Sequence, residues 1–224
     1  MTKKILVVLS EWGYWGEELI GPLDVLTSAG YTLDFMTPFG RKPPALPPSM
    51  QEGFLDTPLN KVVTDVHFAK RSTEVHESSL LNSPINLSEK LSLMPYFNGE
   101  NFGLELAAFH DRREEFWKDY VDPYDALLLP GGSGPMVDMV NNERLHNLIL
   151  GYVNRDKLIA AECYCVTCLA FARDWTDRKS IIWGKNVTGH AREYDYKEGT
   201  SDGTTTAHIN DSGTASKLTI KATF

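Results

Sequence analysis

The sequence predicts an α/β fold, a doubly wound and mostly parallel sheet sandwiched by helices. The first observation is an aliphatic, β-branched run at 5–9, uninterrupted as in parallel strands that are covered on both faces. The second is that a helical pattern and another β-rich run follow before residue 38, which gives a β-α-β unit. The third is a short apolar run at 125–129 that stops at the glycine-rich turn 130–134.

The remaining elements follow in chain order. We expect strands at 3–10, 31–38, 125–129 and 156–164, and helices at 16–30, 103–121, 141–154 and 165–175. The first helix carries leucines at helical spacing and reaches a natural stop at Gly30. Strands that alternate with helices in this way favour a parallel sheet over a sandwich or a barrel.

We predict one domain over residues 1–224, with two departures from regular structure. Residues 41–101 begin with a proline-rich stretch and lack a sustained hydrophobic period, which indicates an inserted, lid-like excursion. Residues 199–224 are polar and rich in glycine and threonine, and this diverged tail shows only one possible strand, at 216–224.

Composition excludes several classes of function. The chain has 42% hydrophobic residues, enough for a real core, and a formal net charge of −8, which argues against nucleic acid or an anionic membrane as partner. No apolar run approaches the ~20 residues that span a bilayer. The opening run is too short for a signal peptide and lacks a small-residue cleavage site. An odd number of cysteines packed into six positions cannot form a disulfide framework, so we expect a reducing, cytoplasmic setting.

The three cysteines, Cys163, Cys165 and Cys168, allow three interpretations. A C-x-C-x-x-C pattern offers soft metal ligands, but no second ligand pair accompanies it. Buried packing suits Cys165 and Cys168, which lie on the apolar face of the expected helix. A reactive thiol suits Cys163, because it lies where a parallel strand passes into a helix. The helix dipole and free amides at that position are expected to lower the pKa of its thiol.

Four stretches of the chain resemble, in order, the ThiJ/PfpI (DJ-one) superfamily, the cysteine-bearing relatives of class I glutamine amidotransferases. These stretches are 4–31, 124–134, 158–172 and 184–194. The resemblance spans roughly residues 3 to 196 and implies a flavodoxin-like fold in which 184–194 form a further strand. It also implies a homodimer and a site that needs neither a cofactor nor a metal.

The resemblance assigns roles to five residues. It implies Cys163 as the nucleophile, Glu18 as the carboxyl that hydrogen-bonds the thiol, and His190 as the general acid or base. The backbone amides of Gly132 and Tyr164 correspond to the donors that stabilise an oxyanion.

The family pattern bears on the choice of glutamate and on the residues that follow the cysteine. Glu17 is the rival of Glu18, but the family's glutamate lies four residues before a helix proline, and Glu18 has that spacing from Pro22. Many family members carry His-Gly directly after the cysteine, where this chain has Tyr164 and Cys165.

The first functional hypothesis is a cofactor-free cysteine enzyme of glyoxalase, deglycase or amidase type, whose partner is a small carbonyl or amide substrate. The second is a non-catalytic redox- or stress-responsive protein in which Cys163 is reversibly oxidised. The third is a metal-binding protein. Tyr164 in place of a histidine favours the second hypothesis, while the combination of Cys163, Glu18 and His190 is compatible with the first two.

Overall fold

The computed structural model describes residues 3–56 and 59–190, together with two short strands at 208–209 and 215–216. The strands are β1 (Lys4–Val8), β2 (Thr32–Thr37), β3 (Leu55–Asp56), β4 (Lys61–Val62), β5 (Ile85–Asn86), β6 (Ala126–Leu129), β7 (Leu158–Ala161), β8 (His208–Ile209) and β9 (Ala215–Ser216). The α-helices are α1 (Gly16–Ser28), α2 (Val66–Glu77), α3 (Leu87–Lys90), α4 (Phe102–Tyr120), α5 (Pro135–Asp138), α6 (Glu143–Asn154) and α7 (Val166–Phe171). Two 3₁₀ turns cover Pro47–Met50 and Cys163–Cys165.

The main sheet has five strands in the order β5-β2-β1-β6-β7, and every neighbouring pair is parallel. The strand order reverses direction between β1 and β6, so their carboxyl ends border a crevice. Open α/β sheets place their ligand sites in such a crevice. β3 and β4 form a separate antiparallel pair, as do β8 and β9.

The sheet is covered on both faces because its central strands are apolar, β1 from Ile5 to Val8 and β6 throughout. Leu6 and Val8 of β1 point into one core, which they share with α4, α6 and α7. Ile5 and Val7 point into the other core, which is closed by α1 and by residues of α2. Alternate positions of a strand face opposite sides, and this is why an uninterrupted aliphatic run builds a two-sided core.

Local sequence explains where several helices begin and bend. Asn142 caps α6, because its side chain accepts hydrogen bonds from the amides of Arg144 and Leu145. Asp65 caps α2 in the same manner, through the amide of Phe68. Pro22 lies inside α1 and removes one helical hydrogen bond, the bond that the Glu18 carbonyl would otherwise accept.

The fold class expected from the sequence is confirmed. One expected strand is wrong: within 184–194, residues 184–190 are turns and irregular backbone, and 191–194 lie outside the described residues. Gly184 adopts a φ of +71°, and the amide of His190 bonds to the Cys163 carbonyl rather than to a strand. The backbone of this segment is therefore used to hold the turn after β7.

The excursion at 41–101 contains β3, β4, α2, β5 and α3, and its role as a lid stays a prediction. Most of the tail at 199–224, including the end of the possible strand, lies outside the described residues. In the part of the chain that is described, no helix combines the length and the apolar character that crossing a membrane requires.

Candidate active site

Cys163 lies on a strained turn directly after β7. Its φ is +51°, a left-handed conformation that non-glycine residues seldom adopt and that costs roughly 1 kcal/mol or more. The turn is held by the amide of Cys165, which donates to the Glu162 carbonyl at 2.9 Å. Such a turn lifts a side chain above the carboxyl edge of a sheet, which is the geometry of a nucleophile elbow.

Glu18 reaches this thiol from the first turn of α1. A side-chain hydrogen bond joins Glu18 to Cys163, and Glu18 Oε2 also accepts a 2.7 Å hydrogen bond from the amide of Gly131. Burial raises the pKa of Glu18 to about 7, against the opposing effect of these two hydrogen bonds. Near neutral pH the carboxyl is therefore present in both its protonated and its ionised form.

The glycine loop after β6 supplies close backbone contacts. The Gly131 carbonyl accepts a hydrogen bond from the amide of Trp15 at 3.1 Å. A Cβ on Gly131 would lie 2.6 Å from the Glu162 carbonyl oxygen and 2.8 Å from Cys163 Cβ, so only glycine fits there. Gly132 has a φ of +94°, and a Cβ on it would lie 2.5 Å from the Trp15 nitrogen.

Backbone hydrogen bonds from Gly132 and Tyr164 reach the Cys163 thiol and favour its thiolate. These hydrogen bonds lower the pKa of the thiol less than other influences raise it. Burial, followed by the nearby charge of Glu18, raises the pKa of Cys163 well above the ordinary value of 9.0. The expectation of a lowered thiol pKa was wrong, because desolvation of the sulfur outweighs the amides around it. The raised pKa favours the protonated thiol near neutral pH.

His190 lies directly against the sulfur. Its Nδ1 lies 3.1 Å from Cys163 Sγ, and its amide donates to the Cys163 carbonyl at 3.2 Å. The ring of Tyr164 stacks on the imidazole, with ring centroids 4.1 Å apart and planes inclined by 19°. The side chain of Tyr164 thus contacts the histidine, while its amide points at the sulfur.

Cys165 and Cys168 are fully buried in the core between the sheet and α6, as expected of packing residues. The Cys165 thiol donates to the Pro130 carbonyl at 3.0 Å. Its pKa is raised well above 9.0, and burial is the largest cause. Among residues 3–56 and 59–190, no three histidine, cysteine, aspartate or glutamate side chains are grouped so as to hold a metal ion.

Two further carboxylates lie beside the site. Glu17, the rival candidate, is exposed, and its pKa is raised by burial and then by the charge of Asp65. Glu162 is half-buried, and its pKa is raised by burial and then by the charge of Glu17. The structure thus brings Glu18 to the sulfur and leaves Glu17 on the rim beside Glu162.

Sequence reasoning missed two glycines of the site. The Gly131 amide donates to the Glu18 carboxyl. A Cβ on Gly131 would lie too close to the Cys163 turn, which explains why a second glycine stands beside Gly132. Gly189 packs against Val166, and a Cβ on it would lie 3.3 Å from the Cys163 carbonyl oxygen. A glycine directly before His190 is a sequence signal that could have predicted this close approach to the Cys163 turn.

Comparisons with known proteins agree with this architecture. A family model described as "ThiJ/PfpI family-like" matches residues 9–198. A crystal structure without a protein name superposes with a TM-score of 0.57 at 23% identity, over 87% of this chain and 71% of its own. Rapid Encystment Protein 24 KDa of Francisella tularensis superposes with a TM-score of 0.54 at 20% identity, over 87% of this chain and 72% of its own. Glyoxalase III of Candida albicans superposes with a TM-score of 0.46 at 15% identity, over 84% of this chain and 68% of its own. None of the curated proteins matches the sequence.

Proposed function

Since the chain belongs to the ThiJ/PfpI family, we propose that it is a cofactor-free, cysteine-dependent enzyme that acts on a small reactive carbonyl or amide. The observation that supports this most strongly is the placement of Cys163. Its strained backbone lifts the sulfur to a position where it contacts the Glu18 carboxyl and lies 3.1 Å from His190 Nδ1. A nucleophile that contacts both a base and a carboxyl has what covalent catalysis needs.

The first chemical step is addition of the sulfur to the carbonyl carbon. The thiol proton of Cys163 passes to His190 Nδ1 while the sulfur electron pair forms the new C–S bond. The π pair of the carbonyl moves onto its oxygen, which the amides of Gly132 and Tyr164 stabilise. The product is a hemithioacetal from an aldehyde or a tetrahedral adduct from an amide.

Glu18 manages the proton in the later steps. With a pKa of about 7, it can donate a proton to the bound oxygen or nitrogen and recover one from water without a large energetic cost. Its hydrogen bond from the Gly131 amide fixes the carboxyl beside the sulfur in both protonation states. The buried thiol stays protonated until a substrate occupies the site, which limits side reactions of the free enzyme.

The test is turnover of methylglyoxal and of simple amides by the wild type and by Cys163→Ser, without added metal. We expect turnover in the wild type and a loss of at least a hundredfold in the variant, since removing a nucleophile removes the covalent route. Cys168→Ala is the matched control, because that buried thiol lies in the core. Turnover that persists in Cys163→Ser overturns the proposal. Absent turnover with selective peroxide oxidation of Cys163 favours the redox-responsive alternative.

Family membership and the thiols suggest the setting in which the enzyme works. Homodimers are common in this family, and we infer one for this chain; light scattering on the purified protein tests it. All three cysteines are free, which suits a cytoplasmic, reducing compartment.

A further inference from the structure

A second polar contact lies beside the glycine loop and joins the ends of two neighbouring segments. Asp138, the last residue of α5, accepts a hydrogen bond from Ser10 Oγ on Oδ1 at 2.7 Å. Its Oδ2 accepts from the amide of Glu11 at 2.8 Å. Ser10 Oγ accepts in turn from the amide of Trp12 at 3.0 Å. One carboxylate therefore organises the whole turn that follows β1.

These contacts join the two segments that deliver groups to the reactive thiol. The loop 130–134 leads directly into α5, and the turn after β1 leads into α1, which carries Glu18. The segments pack closely, since a Cβ on Gly134 would lie 2.5 Å from Ser10 Oγ and 2.7 Å from the Gly13 nitrogen. The loop that carries the Gly131 and Gly132 amides therefore packs directly on the turn after β1.

We propose that Asp138 is a positioning residue for Cys163. Its two acceptor bonds hold the glycine loop against the turn after β1, so that the Gly132 amide stays on the sulfur and the Gly131 amide stays on Glu18. Asp138 acts through the backbone and touches neither the thiol nor a substrate. This inference rests on Cys163 being the reactive group of the proposed function, but it does not depend on turnover.

The surroundings of Asp138 explain why a carboxylate is needed there. Both of its oxygens face donors, so an asparagine would turn an NH₂ group toward the Ser10 hydroxyl or the Glu11 amide. The charge that faces it is the Glu11 carboxylate, which is itself held by the amides of Phe39 and Arg41. None of the ion pairs among the described residues includes Asp138. It is anchored by directional hydrogen bonds, which suits a role in geometry.

The experiment measures how fast iodoacetamide alkylates Cys163 as a function of pH, with the modified residue identified by mass spectrometry. The variants are Asp138→Asn and Ser10→Ala. Losing the amide bond to the sulfur disfavours the thiolate, so we expect the pH midpoint to rise by about one unit and the rate at pH 8 to fall roughly tenfold. The double variant should be slower than Asp138→Asn by less than the effect of Ser10→Ala alone, because the Ser10–Asp138 bond is disturbed by both changes.

Asp34→Asn is the matched control. Asp34 lies on β2 and accepts a 2.7 Å hydrogen bond from the Tyr124 hydroxyl, and loss of this bond should lower stability without moving the glycine loop. Wild-type alkylation in folded Asp138→Asn, or equal slowing in Asp34→Asn, overturns the inference. Should Asp138→Asn fail to fold, Asp138→Ala removes both acceptor bonds without adding a donor, and a wild-type alkylation profile in that variant overturns the inference as well. Alkylation needs no turnover, so a failure of the enzyme proposal would appear separately, as activity that survives Cys163→Ser.

Discussion

Cys163 Sγ lies 3.1 Å from His190 Nδ1, although 27 positions separate the two residues along the chain. The contact is supported by the backbone, because the His190 amide donates to the Cys163 carbonyl at 3.2 Å. The histidine that meets the thiol therefore comes from the segment after α7, whereas many relatives carry a histidine directly after the cysteine. That adjacent position is occupied here by Tyr164, whose ring stacks on the same imidazole.

Replacement of Glu18 by glutamine should change both stability and activity. The folded pKa of Glu18, about 7, lies above the ordinary value of 4.5, so the native state binds the extra proton between these values. The free energy of unfolding then falls as pH rises from about 4.5 to 7, by roughly 2 to 3 kcal/mol in total. Glu18→Gln should remove this slope and be more stable than the wild type at pH 8.

Urea unfolding at several pH values measures the slope, and the same variant should lose about 10² in kcat, since a proton-transfer group is removed. Glu115→Gln is the control, because the Glu115 side chain is exposed on α4. A slope that persists in Glu18→Gln would assign the pH dependence to another group.

Gly131→Ala should disable the site. The added methyl group would lie 2.6 Å from the Glu162 carbonyl oxygen and 2.8 Å from both Cys163 Cβ and Glu18 Oε2. Two of these neighbours cannot move without shifting the strained turn, so we expect a destabilisation of roughly 1 to 3 kcal/mol together with loss of turnover. Thermal unfolding and activity check both effects. Gly21→Ala is the control, because a methyl group there meets no atom within 4 Å.

The stacking of Tyr164 on His190 should matter for activity more than the phenol does. Tyr164→Phe keeps the aromatic ring against the imidazole, and we expect kcat within about twofold of the wild type. Tyr164→Ala removes the ring and leaves His190 free to turn, so kcat should fall roughly tenfold or more, since the proton transfer depends on its orientation. Steady-state kinetics on the two variants tests this. A loss of kcat in Tyr164→Phe as large as that in Tyr164→Ala would assign the role to the hydroxyl.

The rim carboxylates should make the site selective against negatively charged reagents. The charge of Glu17 acts on Glu162, and neither belongs to an ion pair with a lysine or arginine among the described residues. Iodoacetate should therefore alkylate Cys163 more slowly, relative to iodoacetamide, than it alkylates a free thiol. Glu162→Gln should reduce the ratio of the iodoacetamide rate to the iodoacetate rate at Cys163 by roughly threefold, and added salt should reduce this ratio too. Glu115→Gln, on the exposed side of α4, is the control, and an unchanged ratio in Glu162→Gln would contradict the prediction.

Most of the sheet and the position of the reactive turn could be predicted, because both depend on local patterns. The aliphatic run of β1 identified a strand buried on two faces, and the passage from β7 into a helix separated Cys163 from Cys165 and Cys168. The family resemblance, applied through the spacing of Glu18 from Pro22, selected the correct glutamate of an adjacent pair. Each of these inferences uses residues that are neighbours in sequence.

The expected strand over 184–194 was wrong in its described part for the opposite reason. Its apolar and turn residues are compatible with a strand, but the His190 amide and Gly189 are engaged by the Cys163 turn, and this contact exists only in the folded chain. The direction of the Cys163 pKa was wrong on similar grounds. A helix start can be read from sequence, whereas the desolvation that overcomes it depends on everything packed around the sulfur.

By itself, the sequence determined the parallel sheet and the turn that carries Cys163, because hydrophobic period and turn chemistry are local properties. The resemblance to the family implied Glu18 as the carboxyl that meets the thiol. Tertiary structure alone decided that Gly131 holds Glu18, that Asp138 joins the glycine loop to Ser10, and that burial keeps the thiol protonated. These depend on close approach between segments more than a hundred residues apart and on the exclusion of water between them.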